Sequence, residues 1–306
     1  MSQGTHNVAG AVDPSFYKHE KYFDAHLTSL GWAQAQALRQ HVATHGLAAR
    51  LEVVVVSPLT RAVETAVAAF GGDSPVPSGA PCLMAARPEV EGLCTAHPGA
   101  AAGPLPFVAC ELCREHLGVH PCDRRRPLSH YQAAFPAVDW SHITQEQVCF
   151  QLLLPTFGSV LHVSEPVSLS QDELWTPETR ESDDDLANRA GLFLRWLLAR
   201  PEQRIAVVTH SSWLSIMFKR FTPPDTPDSV TRWFENAELR TMTLVGDADG
   251  VTLTSHAAVG GAAAAPAALD FIPSVTAGLP MHVTISTRSM EEQEELVRQA
   301  APAGHK

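Results

Sequence analysis

Two short runs, LEVVVV at 51–56 and RIAVVTH at 204–210, limit the fold more than any other feature of the chain. Both are β-branched and apolar without alternation, the pattern of a strand buried on both faces and hence of a parallel sheet covered by helices on each side. Each run leads into a helix: LEVVVV passes through SPLTR into AVETAVAAFGG, and RIAVVTH passes directly into SSWLSIMFKR. Two further helices are read in LTSLGWAQAQALRQHVATHG, with Thr28 as cap and Gly46 at the end, and in LANRAGLFLRWLLAR, stopped by Pro201. PFVAC at 106–110 is a third, short strand. The expected fold is α/β, a three-layer α/β/α sandwich with a mostly parallel sheet. In such folds, polar residues at strand C-terminal ends face the crevice where ligands bind, beside helix N-termini that favour anions.

One α/β domain is expected over 1–256, with an excursion at 72–127, rich in Ala, Gly and Pro over about 72–106, forming a lid. Residues 257–306 read as a poorly ordered Ala/Gly-rich tail in which MEEQEELVRQA could form one short exposed helix. Lys and Arg number 22 against 33 Asp and Glu, so a net charge of -11 argues against nucleic acid or an anionic membrane as partner. An anionic ligand then needs a local cationic pocket. No apolar run of about 18 residues is present and the N-terminus lacks a signal-peptide core, so a soluble, cytoplasmic protein is expected. The oligomeric state is not legible.

Two other features invite different functions. CELCREHLGVHPC holds Cys110, Cys113, His116, His120 and Cys122, residue types that zinc knuckles use; but a structural zinc site needs four ligands on a shaped turn, and this stretch begins at the end of a buried strand. No metal is expected, and the six cysteines read as reduced thiols. Arg124, Arg125 and Arg126 form a basic run that in so acidic a chain reads as a solvated turn or as salt-bridge partners, although Arg125 or Arg126 could face the crevice.

Chemistry gathers elsewhere. Arg61 follows LEVVVV, His210 follows RIAVV, and Arg114 and Glu115 follow PFVAC, so all can reach one sheet edge. A guanidinium offers a planar fork to phosphate oxygens, and a protonated carboxyl can pass its proton to a leaving alkoxide. The set suits a phosphate monoester.

SPLTRAVETA, LTSLGWAQAQALRQ and VVTHSS together resemble the histidine phosphatase superfamily, also called phosphoglycerate mutase-like, and ELCREHLGVHPCDRRRPLSHYQAAFP and WTPETRES resemble its plant-type branch. The resemblance spans most of residues 3–245 in order. It implies that Arg61 clamps the phosphate, that His210 contacts it and steadies the transferring phosphoryl group, and that Glu115 is the general acid, with Glu111 as runner-up. Gln3, Gly4 and Asn7 are similar to the end of the family's first phosphate-binding loop. The substrate implied is a small phosphomonoester, with no metal or organic cofactor.

That loop reads Arg-His-x-Gln-Gly-x-His-Asn in the branch, with the nucleophilic His six residues before the Asn. Counting back from Asn7 puts Met1 in its place. A thioether cannot become a phosphohistidine, and His6 is displaced too far for in-line attack. The chain as written is therefore expected to be inactive or severely impaired, and the family's preceding central strand is absent as well. Losing both together suggests a start displaced by truncation; the alternative is a non-catalytic relative that binds phosphorylated ligands or a protein partner. Residues 148–171 are foreign to the branch and read as an insertion or a retained intron. For an intact member, hydrolysis is expected, and phosphomutase activity is the lesser alternative.

Overall fold

The structure, a computed structural model, describes residues 1–72, 81–85, 105–143, 172–246, 250–255 and 281–286. In chain order the elements are α1 (Thr5–Val12), α2 (Ser29–Thr44), β1 (Val53–Val56), α3 (Thr60–Phe70), β2 (Phe107–Ala109), α4 (Leu128–Ala134) and β3 (Val138–Asp139). They continue with α5 (Asp183–Leu198), β4 (Arg204–Val208), α6 (Ser211–Phe221), α7 (Asp228–Thr231), β5 (Leu239–Gly246), β6 (Val251–Ser255) and β7 (Met281–Ser286). The strands form one sheet in the order β3-β2-β1-β4-β7-β5-β6. Pairing is parallel from β3 across to β7, then antiparallel between β7 and β5 and between β5 and β6.

The uninterrupted valines of β1 build three layers. Val54 and Val56 point to one side, where they join Trp32, Val63, Val67 and Tyr131 from α2, α3 and α4. Val53 and Val55 point to the other, against Leu186, Phe193, Trp213 and Phe218 from α5 and α6. All four valines are fully buried, which only a strand covered on both faces allows. The expected α/β sandwich is the fold observed.

Local signals act as read. Thr28 Oγ1 accepts the Gly31 N–H at 2.9 Å and caps α2, and Gly46 just past that helix takes φ 61°, the left-handed conformation that favours glycine. Ser182 caps α5 in the same way, accepting from Asp185 N–H at 3.1 Å, with three aspartates in the first turn opposing the helix dipole.

Three differences follow from tertiary packing. Residues 257–306 do not all lie outside the sheet: Met281–Ser286 is a central strand between β4 and β5. The excursion at 72–127 is not wholly a lid, because β2 and the buried Leu83 and Met84 belong to the core. The N-terminal segment carries a helix, α1, that no cap or apolar stripe announced. The readings at 148–171 and of MEEQEELVRQA lie outside the described residues.

Candidate functional site

β1 and β4 are adjacent and parallel with Val56 opposite Val208, so the residues that follow them emerge together. Ser57 and His210 meet there: Ser57 Oγ lies 2.7 Å from His210 Nε2, both residues fully buried. His210 is the N-cap of α6, and Arg61 sits in the first turn of α3. The start of α3 is itself fixed from outside, since Asp24 accepts the Thr60 N–H at 2.9 Å and Arg126 holds the same carboxylate at 3.0 Å.

The N-terminal loop closes over this edge. Thr28 N–H donates to the Gln3 carbonyl at 3.0 Å, Thr5 N–H to the His26 carbonyl at 2.9 Å and Ala237 N–H to the Met1 carbonyl at 3.0 Å. A side chain at Gly31 would collide with the Gln3 carbonyl, so the loop sits against α2 only because that position is glycine. Within the loop, Asn7 Oδ1 accepts the Gly4 N–H at 2.9 Å and Gln3 Oε1 accepts from Thr28 Oγ1 at 2.8 Å. These contacts of Gln3 and Asn7 are ties that shape the loop. They bring the Met1 sulfur to 3.1 Å from Arg61 Nε.

Arg61 is 1% exposed. Its Nε–H donates to the Met1 thioether, Nη1 to the Cys122 carbonyl, and Nη2 to Asp123 Oδ1 at 2.8 Å. Burial opposes its charge, but Asp123 and Glu115 more than restore it, so its pKa is raised. Burial, reinforced by the Arg61 charge, pushes His6 down to about 3 and holds His210 well below the ordinary imidazole range. Both rings are neutral at neutral pH. His6 Nδ1, His210 Nδ1 and Ser2 Oγ are buried with no hydrogen-bond partner among the described residues.

The two candidate acids differ. Glu115 is partly buried, accepts from His116 N–H at 3.1 Å, and is close enough to Arg61 to raise its pKa. Glu111 is bonded through Oε1 to Arg125 Nε at 2.6 Å and through Oε2 to Arg114 Nη1 at 3.1 Å. Both Glu111 oxygens are thus bonded to guanidinium groups, whereas the described contacts of Glu115 are to His116, through its N–H at 3.1 Å and its Nδ1 at 3.4 Å. Arg114 also holds Asp172 at 2.6 Å.

The basic run is engaged internally. Arg124 pairs with Glu20 at 2.7 Å and lies over Phe23 and Trp175, Arg125 pairs with Glu111, and Arg126 pairs with Asp24. Of the zinc-knuckle residue types, Cys113 Sγ donates to the Cys110 carbonyl, Cys122 faces Asp123, and His116 contacts Asp183 and Ser212. No group of three or more His, Cys, Asp or Glu among the described residues could hold a metal ion. No helix among them is long and apolar enough to cross a membrane.

Sequence reasoning missed Asp123 and Arg180. Asp123 is 3% exposed and bonds Arg61 through one oxygen and Arg180 Nη1 through the other, each at 2.8 Å. Its partners come from 62 and 57 residues away, and nothing in CDRRR distinguishes a buried aspartate from a turn residue.

The profile of the histidine phosphatase superfamily (branch 1) matches residues 17–77. A phosphoglycerate mutase-like protein of Arabidopsis thaliana is 38% identical over 254 residues, 80% of this chain and 82% of the relative. Phosphoglycerate mutase-like protein 1 of the same plant is 39% identical over 80% of this chain and 78% of its own length. Among solved structures, a mycobacterial glucosyl-3-phosphoglycerate phosphatase is similar at a TM-score of 0.38 and 16% identity, over 82% of this chain and 92% of that one.

Proposed function

The chain belongs to the phosphoglycerate mutase-like proteins of the histidine phosphatase superfamily, and from that premise we propose that its crevice binds small phosphomonoesters through Arg61, His210 and Glu115. The observation that carries this reading is the contact of the buried Arg61 guanidinium with Met1, flanked by two neutral imidazoles. A thioether is a weak acceptor, so the guanidinium edge facing Met1 lacks the strong partner that a phosphate oxygen supplies. Orphaned polar atoms on Ser2, His6 and His210 add further unmet hydrogen-bonding capacity.

In a member with an imidazole at the Met1 position, that ring's nitrogen attacks phosphorus as the ester P–O bond breaks. Arg61 balances charge on the phosphoryl oxygens, and Glu115 gives its proton to the departing alkoxide. Water then cleaves the P–N bond, releasing phosphate and restoring the imidazole. In this chain the sulfur cannot take the phosphoryl group, so binding without turnover is expected.

The test pairs calorimetric binding of inorganic phosphate with hydrolysis of an aryl phosphate. Saturable binding that Arg61→Met abolishes, without release of aryl alcohol above the buffer rate, is the expected result. Turnover by this chain would refute the role given to the Met1 position, and undiminished binding by the Arg61 variant would refute the site.

A further inference from the structure

Resting on the phosphate site just proposed, we infer that Asp123 is a built-in counter-anion, which holds Arg61 and Arg180 in one array and competes with an incoming phosphate for them. The carboxylate spans two guanidinium groups, Oδ1 on Arg61 Nη2 and Oδ2 on Arg180 Nη1, both at 2.8 Å. It has little freedom to withdraw. Its own N–H donates to the His120 carbonyl at 3.0 Å, Arg114 Nη2 donates to its carbonyl at 2.7 Å, and the Cys122 thiol lies 3.7 Å from Oδ1.

The two guanidinium groups sit differently. Arg61 is enclosed, whereas the Arg180 side chain is 31% exposed and its described contacts, to the His116 and Gly118 carbonyls and to Asp123, all use Nη1. The array therefore runs from the buried clamp to the surface with one shared negative charge between two positive ones. Burial would push the Asp123 carboxyl up, but Arg61 and Arg180 hold it down to about 2, so it is ionised at neutral pH. His6 and His210 are neutral and contribute no compensating charge. A phosphate dianion bound at Arg61 thus meets a fixed carboxylate one guanidinium away, in a poorly screened interior. Positional order and weak net attraction come from the same side chain, which suits a ligand that must also leave.

The experiment measures inorganic phosphate binding by calorimetry for the wild type, D123N and R180Q, with thermal melts to confirm folding. Asn keeps the shape and one acceptor oxygen for Arg61 while removing the charge, so D123N is expected to bind about tenfold more tightly. A merely structural role predicts equal or weaker binding, and either result overturns the inference. If D123N does not fold, R180Q decides: with one cation gone and the carboxylate retained, binding weakens about tenfold, and an unchanged constant overturns the inference. Binding by the wild type without the expected shifts removes this inference alone. No binding by any of the three proteins removes the phosphate site and the inference together.

Discussion

Arg61 and Arg189 are both almost fully buried, yet they differ in how completely their surroundings match the guanidinium group. Arg189 receives the Glu181 carboxylate bidentately, at 2.9 Å on Nε and 2.6 Å on Nη2, and its remaining donors reach the carbonyls of Leu112, Arg114 and Glu115. Every nitrogen meets oxygen. Arg61 has one carboxylate oxygen, one carbonyl and a thioether. The first guanidinium welds α5 to the segment after β2; the second is held by its neighbours and still lacks a strong acceptor on one edge. That incomplete match at Arg61 is the feature on which the proposed phosphate site rests.

The strongest attempt to break this comparison is Arg189→Met. It leaves the buried Glu181 carboxylate without its cation and the Arg114 and Glu115 carbonyls without the guanidinium donors, while Leu112 keeps the Trp213 indole, so a loss of about 3–5 kcal/mol is expected in urea unfolding. A loss below about 1 kcal/mol would show the joint to be dispensable. Arg61→Met should cost less, about 2 kcal/mol, because Asp123 retains Arg180 and no bidentate pair is broken. Its larger effect falls on phosphate binding. Equal destabilisation by the two variants would erase the distinction.

Acid unfolding sharpens the contrast further. His6 and His210 are held neutral in the fold, while the unfolded chain gains protons below about 6.5, so stability falls as pH drops from there towards about 3. Asp123 acts lower: its contribution, of the order of 2 kcal/mol, is present above the free carboxyl value of 3.8 and is lost as pH falls through about 2. Chemical unfolding across this range should show His6→Gln flattening the upper stage and D123N the lower. A His6→Gln profile parallel to that of the wild type would place its ring in solvent.

Much of this was legible because local signals agreed with the fold. LEVVVV and RIAVV announced buried parallel strands, and the polar residues just past them, Ser57, Arg61 and His210, lie at one edge. β7 was hidden because HVTIS is too short to stand out in a tail rich in Ala, Gly and Pro; its identity as a strand comes from β4 and β5, which pair with it. Asp123 was hidden for a related reason. A carboxylate inside CDRRR looks solvated until Arg61 and Arg180 arrive from distant segments. Composition places charges on a chain, and only tertiary contact decides which of them are buried together.

The finest test concerns His210. Ser57 Oγ at Nε2 is its hydrogen-bond partner among the described residues, and Nδ1 has none. Ser57→Ala strips the ring of that bond, and a stability loss of about 1 kcal/mol is expected from thermal melts. The ring then turns more freely, so any contact it makes with bound phosphate weakens and the variant binds several-fold less tightly. Because ligand binding adds stability that grows with the logarithm of affinity, the gap between wild type and Ser57→Ala should widen when the melts are repeated in saturating phosphate. A gap that stays constant would mean that His210 does not touch the ligand, leaving Arg61 as the anchor and the imidazole as part of the wall.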